Sequence, residues 1–188
     1  MKKFLAALLV VFSGTISLYA DDAGDIRAVL MKDIELAAKG DFLGALARWT
    51  ADYQEINSRG KFSCAQVKRT FISLDGKHPK EFLQTIYMCK SGSEPTVQEE
   101  EQIRTLLRDP SVLKVYPDRA KEMAEQLKSA AAVELKTVQF VSVKVDGMQA
   151  VVVLTYKKIP EISWEVRETV SLRKTDGVWR ISRRDIDD

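Results

Sequence analysis

Val141-Ser-Val-Lys-Val145, Asp146-Gly147, then Met148-Gln-Ala-Val-Val-Val-Leu-Thr-Tyr156: two β-rich runs joined by a pair that populates the positive φ angles of a tight turn read as a hairpin. Asp176-Gly177 repeats the device between Trp164-Glu-Val-Arg-Glu-Thr-Val-Ser-Leu-Arg-Lys174 and Val178-Trp-Arg-Ile-Ser182. The connection between the hairpins, Lys157 to Ser163, is longer and holds Pro160, which cannot donate to a ladder. Glu134 to Arg183 therefore reads as an antiparallel meander of four strands. Its alternation leaves one face solvated and requires the preceding chain to cover the other.

That preceding chain is largely helical. Ile26, Val29, Leu30, Ile34 and Ala37 share one side of a helix that Asp22 or Asp25 starts and Gly40 ends. Asp41 caps a shorter helix with Phe42, Ala45, Leu46 and Trp49 as its buried stripe, and Tyr53-Gln-Glu-Ile56 is a short strand stopped by Asn57-Ser-Arg-Gly60. Ser63-Cys-Ala-Gln66 has capping-box spacing and opens a helix carrying Val67, Phe71 and Leu74. Asp75-Gly-Lys-His78 turns the chain, and Pro79 begins a helix that sends Phe82, Leu83, Ile86 and Tyr87 inward. Two more helices are expected, from Thr96 to Arg108 and from Pro117 to Ala132, the second with Ala120, Met123, Ala124 and Leu127 on one face.

The chain has 188 residues, 45% hydrophobic and 30% charged, as expected of one globular domain with a sizeable core. Residues 1–20 differ: Lys2-Lys3, an apolar run from Phe4 to Phe12 and the small-residue end Leu18-Tyr19-Ala20 read as a signal peptide cleaved after Ala20. An uncleaved anchor is the alternative, although the apolar run is nearer signal length than spanning length. The mature chain, 21–188, is expected to be secreted or periplasmic, free of the membrane, and neutral, with 27 basic against 27 acidic residues. That balance gives no reason to expect nucleic acid, since Arg180, Arg183 and Arg184 are countered by Asp185, Asp187 and Asp188 on what reads as a solvated face.

Gly40-Asp41-Phe42 through Trp49-Thr-Ala-Asp-Tyr53, with the late hairpin Glu168-Thr-Val-Ser-Leu-Arg-Lys-Thr-Asp-Gly-Val-Trp-Arg-Ile181, resembles the nuclear transport factor 2-like superfamily, which includes SnoaL-type polyketide cyclases and ketosteroid isomerases. The resemblance covers about 25–60 and 134–183; the block 61–132 is longer and more helical than the single helix usual there, and reads as a helical insertion. It implies an α+β cone: a curved antiparallel sheet, the meander plus the early strand, wrapped around the N-terminal helices with a pocket at the open end. It does not select an activity.

Glu168 breaks its strand's pattern, because it shares a face with Trp164, Val166, Val170 and Leu172. An inward carboxylate is costly unless paired, which makes it a candidate for a site and a weak candidate for a general base. A β-bulge that turns it outward, or a structural partner from the helices, are the other readings. Trp49, Tyr53, Tyr156, Trp164 and Trp179 are the aromatic wall of such a pocket, or else plain core. Asp52, near the expected cone rim, is the second weak catalytic candidate. His78 reads as a turn residue before Pro79 rather than a base. There is no phosphate loop, nucleophile elbow or metal-ligand spacing, so no cofactor or metal is expected.

Cys64 and Cys89 are the only cysteines, and antiparallel helices on either side of the 75–78 turn would bring them to one height. A disulfide is expected in an exported chain, worth roughly 3.5 kcal/mol for a loop of about 26 residues; two free thiols are the alternative. Ranked by these features, the chain is first a non-catalytic exported binding domain for a small molecule or peptide. Next it is a homodimer through the outer sheet face, with Arg167, Thr169, Ser171 and Arg173 interfacial. Last comes an isomerase- or cyclase-like enzyme using Glu168 or Asp52.

Overall fold

The computed structural model describes residues 16–160 and 164–187, with side chains from Asp22 onward in the first helix. The expected signal therefore lies mostly outside the described residues, and helix α1 (Ile16–Ala38) already contains its last positions.

The meander forms with shifted ends: β3 (Gln139–Asp146), β4 (Gln149–Tyr156), β5 (Val166–Thr175) and β6 (Val178–Asp187). The two Asp-Gly pairs make different turns. Asp176 and Gly177 both have positive φ (52° and 78°), the I′ arrangement that the right-handed twist of the strands favours. In the first hairpin Asp146 pairs with Gln149, so the loop is Gly147-Met148 and Gly147 alone takes positive φ, 57°, as in a II′ turn.

Upstream, α2 is only Phe42–Leu46, capped by Asp41, whose carboxylate accepts from Gly44 N at 2.9 Å. Trp49 does not extend this helix; it begins β1 (Trp49–Asn57), which pairs with an unforeseen strand, β2 (Gly60–Ser63). The sheet order is β2-β1-β6-β5-β4-β3, and β1 runs parallel to β6. The sheet is thus open and mixed rather than antiparallel throughout. A parallel pair needs a long connection, and the helices between β2 and β3 lie within it.

These are α3 (Cys64–Ser73), α4 (Pro79–Ser91), α5 (Val97–Leu106) and α6 (Pro110–Thr137). The capping boxes of Ser63 with Gln66 and Thr96 with Glu99 are both complete, and Pro79 opens α4. The last helix starts earlier and ends later than the pattern suggests. Pro110, capped by Asp109, takes its first position, and Pro117 sits inside it. Burial of Tyr116 and Ala120 against Phe82, with rings 5.8 Å apart, offsets the hydrogen bond that Pro117 cannot make.

The main core joins Ile26 and Leu30 of α1 to Tyr53, Val152, Leu154, Val170, Leu172 and Ile181 of the sheet. This α+β layout, helices covering one face of an open six-stranded sheet, is consistent with the cone fold.

Cys64 and Cys89 are free thiols rather than a disulfide. Cys64 packs on the main core while Cys89 lines a recess beside α6. Equal height on a helical hairpin is not enough for the close Cβ approach a disulfide requires.

Candidate functional site

Glu168 points inward as its strand pattern demands and is 0% exposed. Its partner is Arg184: Nη1 donates to Glu168 Oε1 at 2.7 Å, and Nη2 donates to Asp33 Oδ2 at 2.6 Å. Trp49 Nε1 donates to the other Asp33 oxygen at 2.8 Å. The guanidinium fork thereby ties β6 to β5 and to α1 in one buried network.

Arg184 faces inward because of an irregularity in β6. Leu172 pairs with Ile181 but Ser171 pairs with Arg183, which leaves Ser182 as an extra residue, its hydroxyl donating to Ser171 O at 3.0 Å. A bulge of this kind reverses the alternation, so Trp179 and Ile181 are buried before it and Arg184 after it. Strict alternation would have put Arg183 inside; instead Arg183 is exposed and pairs with Asp185.

Further acids crowd the network. On β1, Glu55 accepts from the Tyr53 hydroxyl at 3.2 Å and from Asn57 Nδ2 at 2.9 Å. On α6, Glu134 keeps Oε1 sealed from solvent without a hydrogen-bond partner among the described residues, and so does Glu168 at Oε2. Tyr156 lies beside Glu168 and Glu134. Asp33, Glu55, Glu134 and Glu168 thus surround a single buried arginine.

The electrostatics follow. Burial pushes Asp33 and Glu55 up, against the pull of Arg184. Burial also drives Glu134 up to about 8, with Glu168 and Asp33 adding to the effect and Arg184 and Lys158 opposing it. The Tyr53 and Tyr156 phenols are raised, again chiefly by burial. Burial opposes the charge on Arg184, but Glu168 and Asp33 outweigh it and hold the guanidinium protonated.

Of the expected pocket residues, Trp49, Tyr53, Tyr156 and Glu168 meet in this network, with the Trp49 and Tyr53 rings stacked at 4.0 Å. Trp179 is buried elsewhere: its Nε1 donates to Asp22 at 3.0 Å, beside the Lys174–Asp22 ion pair. Trp164 is not part of a wall; it precedes β5 and is 53% exposed. Asp52 is exposed and bridged to Arg173 at 3.1 Å, its carboxyl held below the usual range by the nearby Thr50 hydroxyl and by Arg173. His78 is a turn residue, with Nδ1 3.0 Å from Asp75 Oδ1.

Sequence reasoning missed Asp33, Glu55, Glu134 and Arg184. Asp33 was detectable, since it falls on the stripe of Ile26, Leu30 and Ala37. Glu134 was hidden by ending its helix at Ala132, and Arg184 by a bulge with no sequence signature.

A recess of about 920 Å³ lies along α6, on the side of the helix that Glu134 shares with Met123, Leu127 and Ala130. Met123, Leu127, Ala130 and Val133 of α6, with Ile159 and Pro160 after β4, give it an apolar wall, and Arg59, Glu122 and Glu125 contribute charge. Among the described residues no group of His, Cys, Asp and Glu is arranged to hold a metal ion, and no helix is long and apolar enough to cross a membrane.

No protein-family model and no curated protein matches the chain. Solved structures do. A nuclear transport factor 2-like protein of unknown function from Silicibacter pomeroyi aligns over 89% of this chain and 96% of its own, at 13% identity and a TM-score of 0.45. One from Shewanella oneidensis aligns over 89% and 99%, at 15% identity and 0.44. A nuclear transport factor 2-like protein with a cystatin-like fold, from Novosphingobium aromaticivorans, aligns over 94% and 90%, at 14% identity and 0.44.

Proposed function

We propose that the mature chain is an exported, non-catalytic binding domain that takes a small apolar molecule or short peptide in the recess beside α6. The observation that carries this reading is a contrast. The inward carboxylate is sealed and engaged by Arg184, whereas the recess is open, about 920 Å³ in volume, and walled by apolar side chains with charge near them. A general base must reach its substrate, and Glu168 at 0% exposure has no route to one. Asp52 is accessible, but its lowered pKa and its bond to Arg173 suit a surface ion pair rather than a proton acceptor. Neither Glu168 nor Asp52 is therefore both basic and accessible.

Export rests on the 1–20 pattern. Cleavage after Ala20 would spare Asp22, which fastens the start of α1 to Lys174 at 2.6 Å and to Trp179. The outer sheet face, where Val141 and Val151 are exposed beside Thr169 and Ser171, suits a second copy of the chain. Sedimentation of the mature protein tests that pairing, and a monomer at all concentrations rejects it.

The binding reading is tested with the fluorescent apolar probe anilinonaphthalene sulfonate. The wild type should bind it saturably, and Ala130→Trp, which fills the recess from α6, should abolish binding without lowering the melting temperature much. No saturable binding, or equal binding by the variant, defeats the reading.

A further inference from the structure

Met123, Leu127 and Ala130 line the recess, and Glu134 follows them at the next helical step, so all four stack along one side of α6. The apolar wall therefore runs toward a carboxyl group. Val133, which also lines the recess, is its neighbour in the chain.

That carboxyl differs from the other acids of the recess. Glu122 and Glu125 already hold cations of their own helix, Arg119 at 2.9 Å and Lys128 at 3.3 Å. Glu134 Oε1 is sealed from solvent with no hydrogen-bond partner among the described residues, although Glu134 as a whole is only partly buried. Glu168 Oε2, in the same cluster, is a second acceptor without a partner. The guanidinium of Arg184 is already divided between Glu168 and Asp33. Arg184 and Lys158 are thus set against four carboxyls, those of Asp33, Glu55, Glu134 and Glu168. This end of the recess is short of hydrogen-bond donors and of positive charge.

We propose that the recess takes an apolar molecule headed by a primary ammonium group, whose N–H groups donate to Glu134 while its tail lies along Ala130, Leu127 and Met123. This deepens, and rests on, the reading of the recess as the ligand site. An ammonium offers three donors and a full charge, which suits two facing carboxyls with unpartnered oxygens. From Met123 to Glu134 the helix rises about 16 Å, room for an extended chain of eight carbons. Arg59 and Lys158 also border the recess, which makes a carboxylate head the rival. Arg59 is exposed, so its charge is already solvated and a further ion pair there gains little. Lys158 already acts on Glu134. A buried acceptor without a partner gains more from a donor, because nothing has replaced the water it lost.

Octylamine, 1-octanol and octanoate share a tail and differ in the head, and each is titrated into the mature protein with detection by methyl NMR. At about pH 8.5 the medium is above the value of about 8 to which burial drives Glu134 and below that of an alkylamine, near 10.4 as in lysine, so carboxylate and ammonium coexist. The methyls of Leu127, Ala130 and Val133 should respond to octylamine with a dissociation constant about tenfold or more below those of the other two. Glu134→Gln should erase most of the difference between octylamine and octanol. Octanol or octanoate binding as tightly as octylamine overturns the proposal and leaves the recess a ligand site. An amine preference that survives in Glu134→Gln overturns it as well. If the variant does not fold, the side-chain carboxyl carbon of Glu134 in the wild type decides, and its failure to shift as octylamine binds has the same force. Methyls that respond to none of the three ligands would remove both the proposal and the reading of the recess on which it rests.

Discussion

Arg184 Nη2 lies 2.6 Å from Asp33 Oδ2, so the last strand of the sheet is fastened to the first long helix by a buried ion pair. The same guanidinium holds Glu168 at 2.7 Å. One cation therefore fixes the packing of α1 on β5 and β6, in the interior where an open cone would present a pocket. A network of this kind costs desolvation and recovers it only while every partner is present.

The partners should differ in importance. Arg184→Met strands Asp33 and Glu168 together and should cost about 3–5 kcal/mol, the range for breaking a buried pair. Glu168→Gln leaves the arginine paired with Asp33 and lightens a cluster already rich in acids, so it should cost clearly less. Thermal unfolding followed by circular dichroism measures both. Equal losses would mean that Asp33 does not support the arginine.

How much of this was legible depends on what kind of signal each element leaves. Glu168 was visible because period-two alternation is strict in β5 up to that point, and the capping boxes at Ser63 and Thr96 were visible because they are local. The parallel pairing of β1 with β6 was not visible, since it is a long-range choice that the short run at 53–56 does not encode. Arg184 depends on an inserted Ser182, and a one-residue slip exchanges the two faces of a strand. Glu134 depended on where α6 ends, and Pro117 misled because a proline that fits a helix start also survives inside a helix when packing holds the turn together.

Gly92 should be irreplaceable. It ends α4 at φ 71°, and a Cβ there would run into the backbone carbonyl of Arg59 in the β1–β2 turn. Gly92→Ala should therefore cost about 1–3 kcal/mol through left-handed strain and backbone collision together. It should also alter the recess, where Arg59 and Cys89 face each other's elements. Denaturant unfolding reads the first effect and probe binding the second; a variant as stable as wild type would contradict this contact.

Both thiols should be available. Cys64 and Cys89 are half-buried and unbridged, so unfolding without reductant should allow two alkylations per chain, read by intact mass. Native labelling should favour Cys89, which borders the recess, over Cys64, which packs on the core. A disulfide-linked peptide pair from protein made in an oxidising compartment would show that the two helices rotate enough to join them.

Stability should fall as pH rises through neutrality. Glu134 moves from an ordinary value near 4.5 to about 8, so the folded chain holds a proton that the unfolded chain releases between those values. A group raised in this way contributes fully below its unfolded value, and its contribution is lost as pH climbs to the folded one. Asp33 and Glu55 are raised too and act in the same direction, whereas exposed acids held low by partners, such as Asp52 and Asp75, affect only the acid limb. Urea midpoints should drop between about pH 5 and pH 9 with an unchanged slope, a loss on the order of a few kcal/mol, since each tenfold change in proton affinity on folding is worth about 1.4 kcal/mol. Glu134→Gln should flatten most of that fall, because its amide keeps the volume and cannot ionise. A midpoint that rises with pH in the wild type would mean that Arg184 and Lys158 hold Glu134 ionised despite its burial.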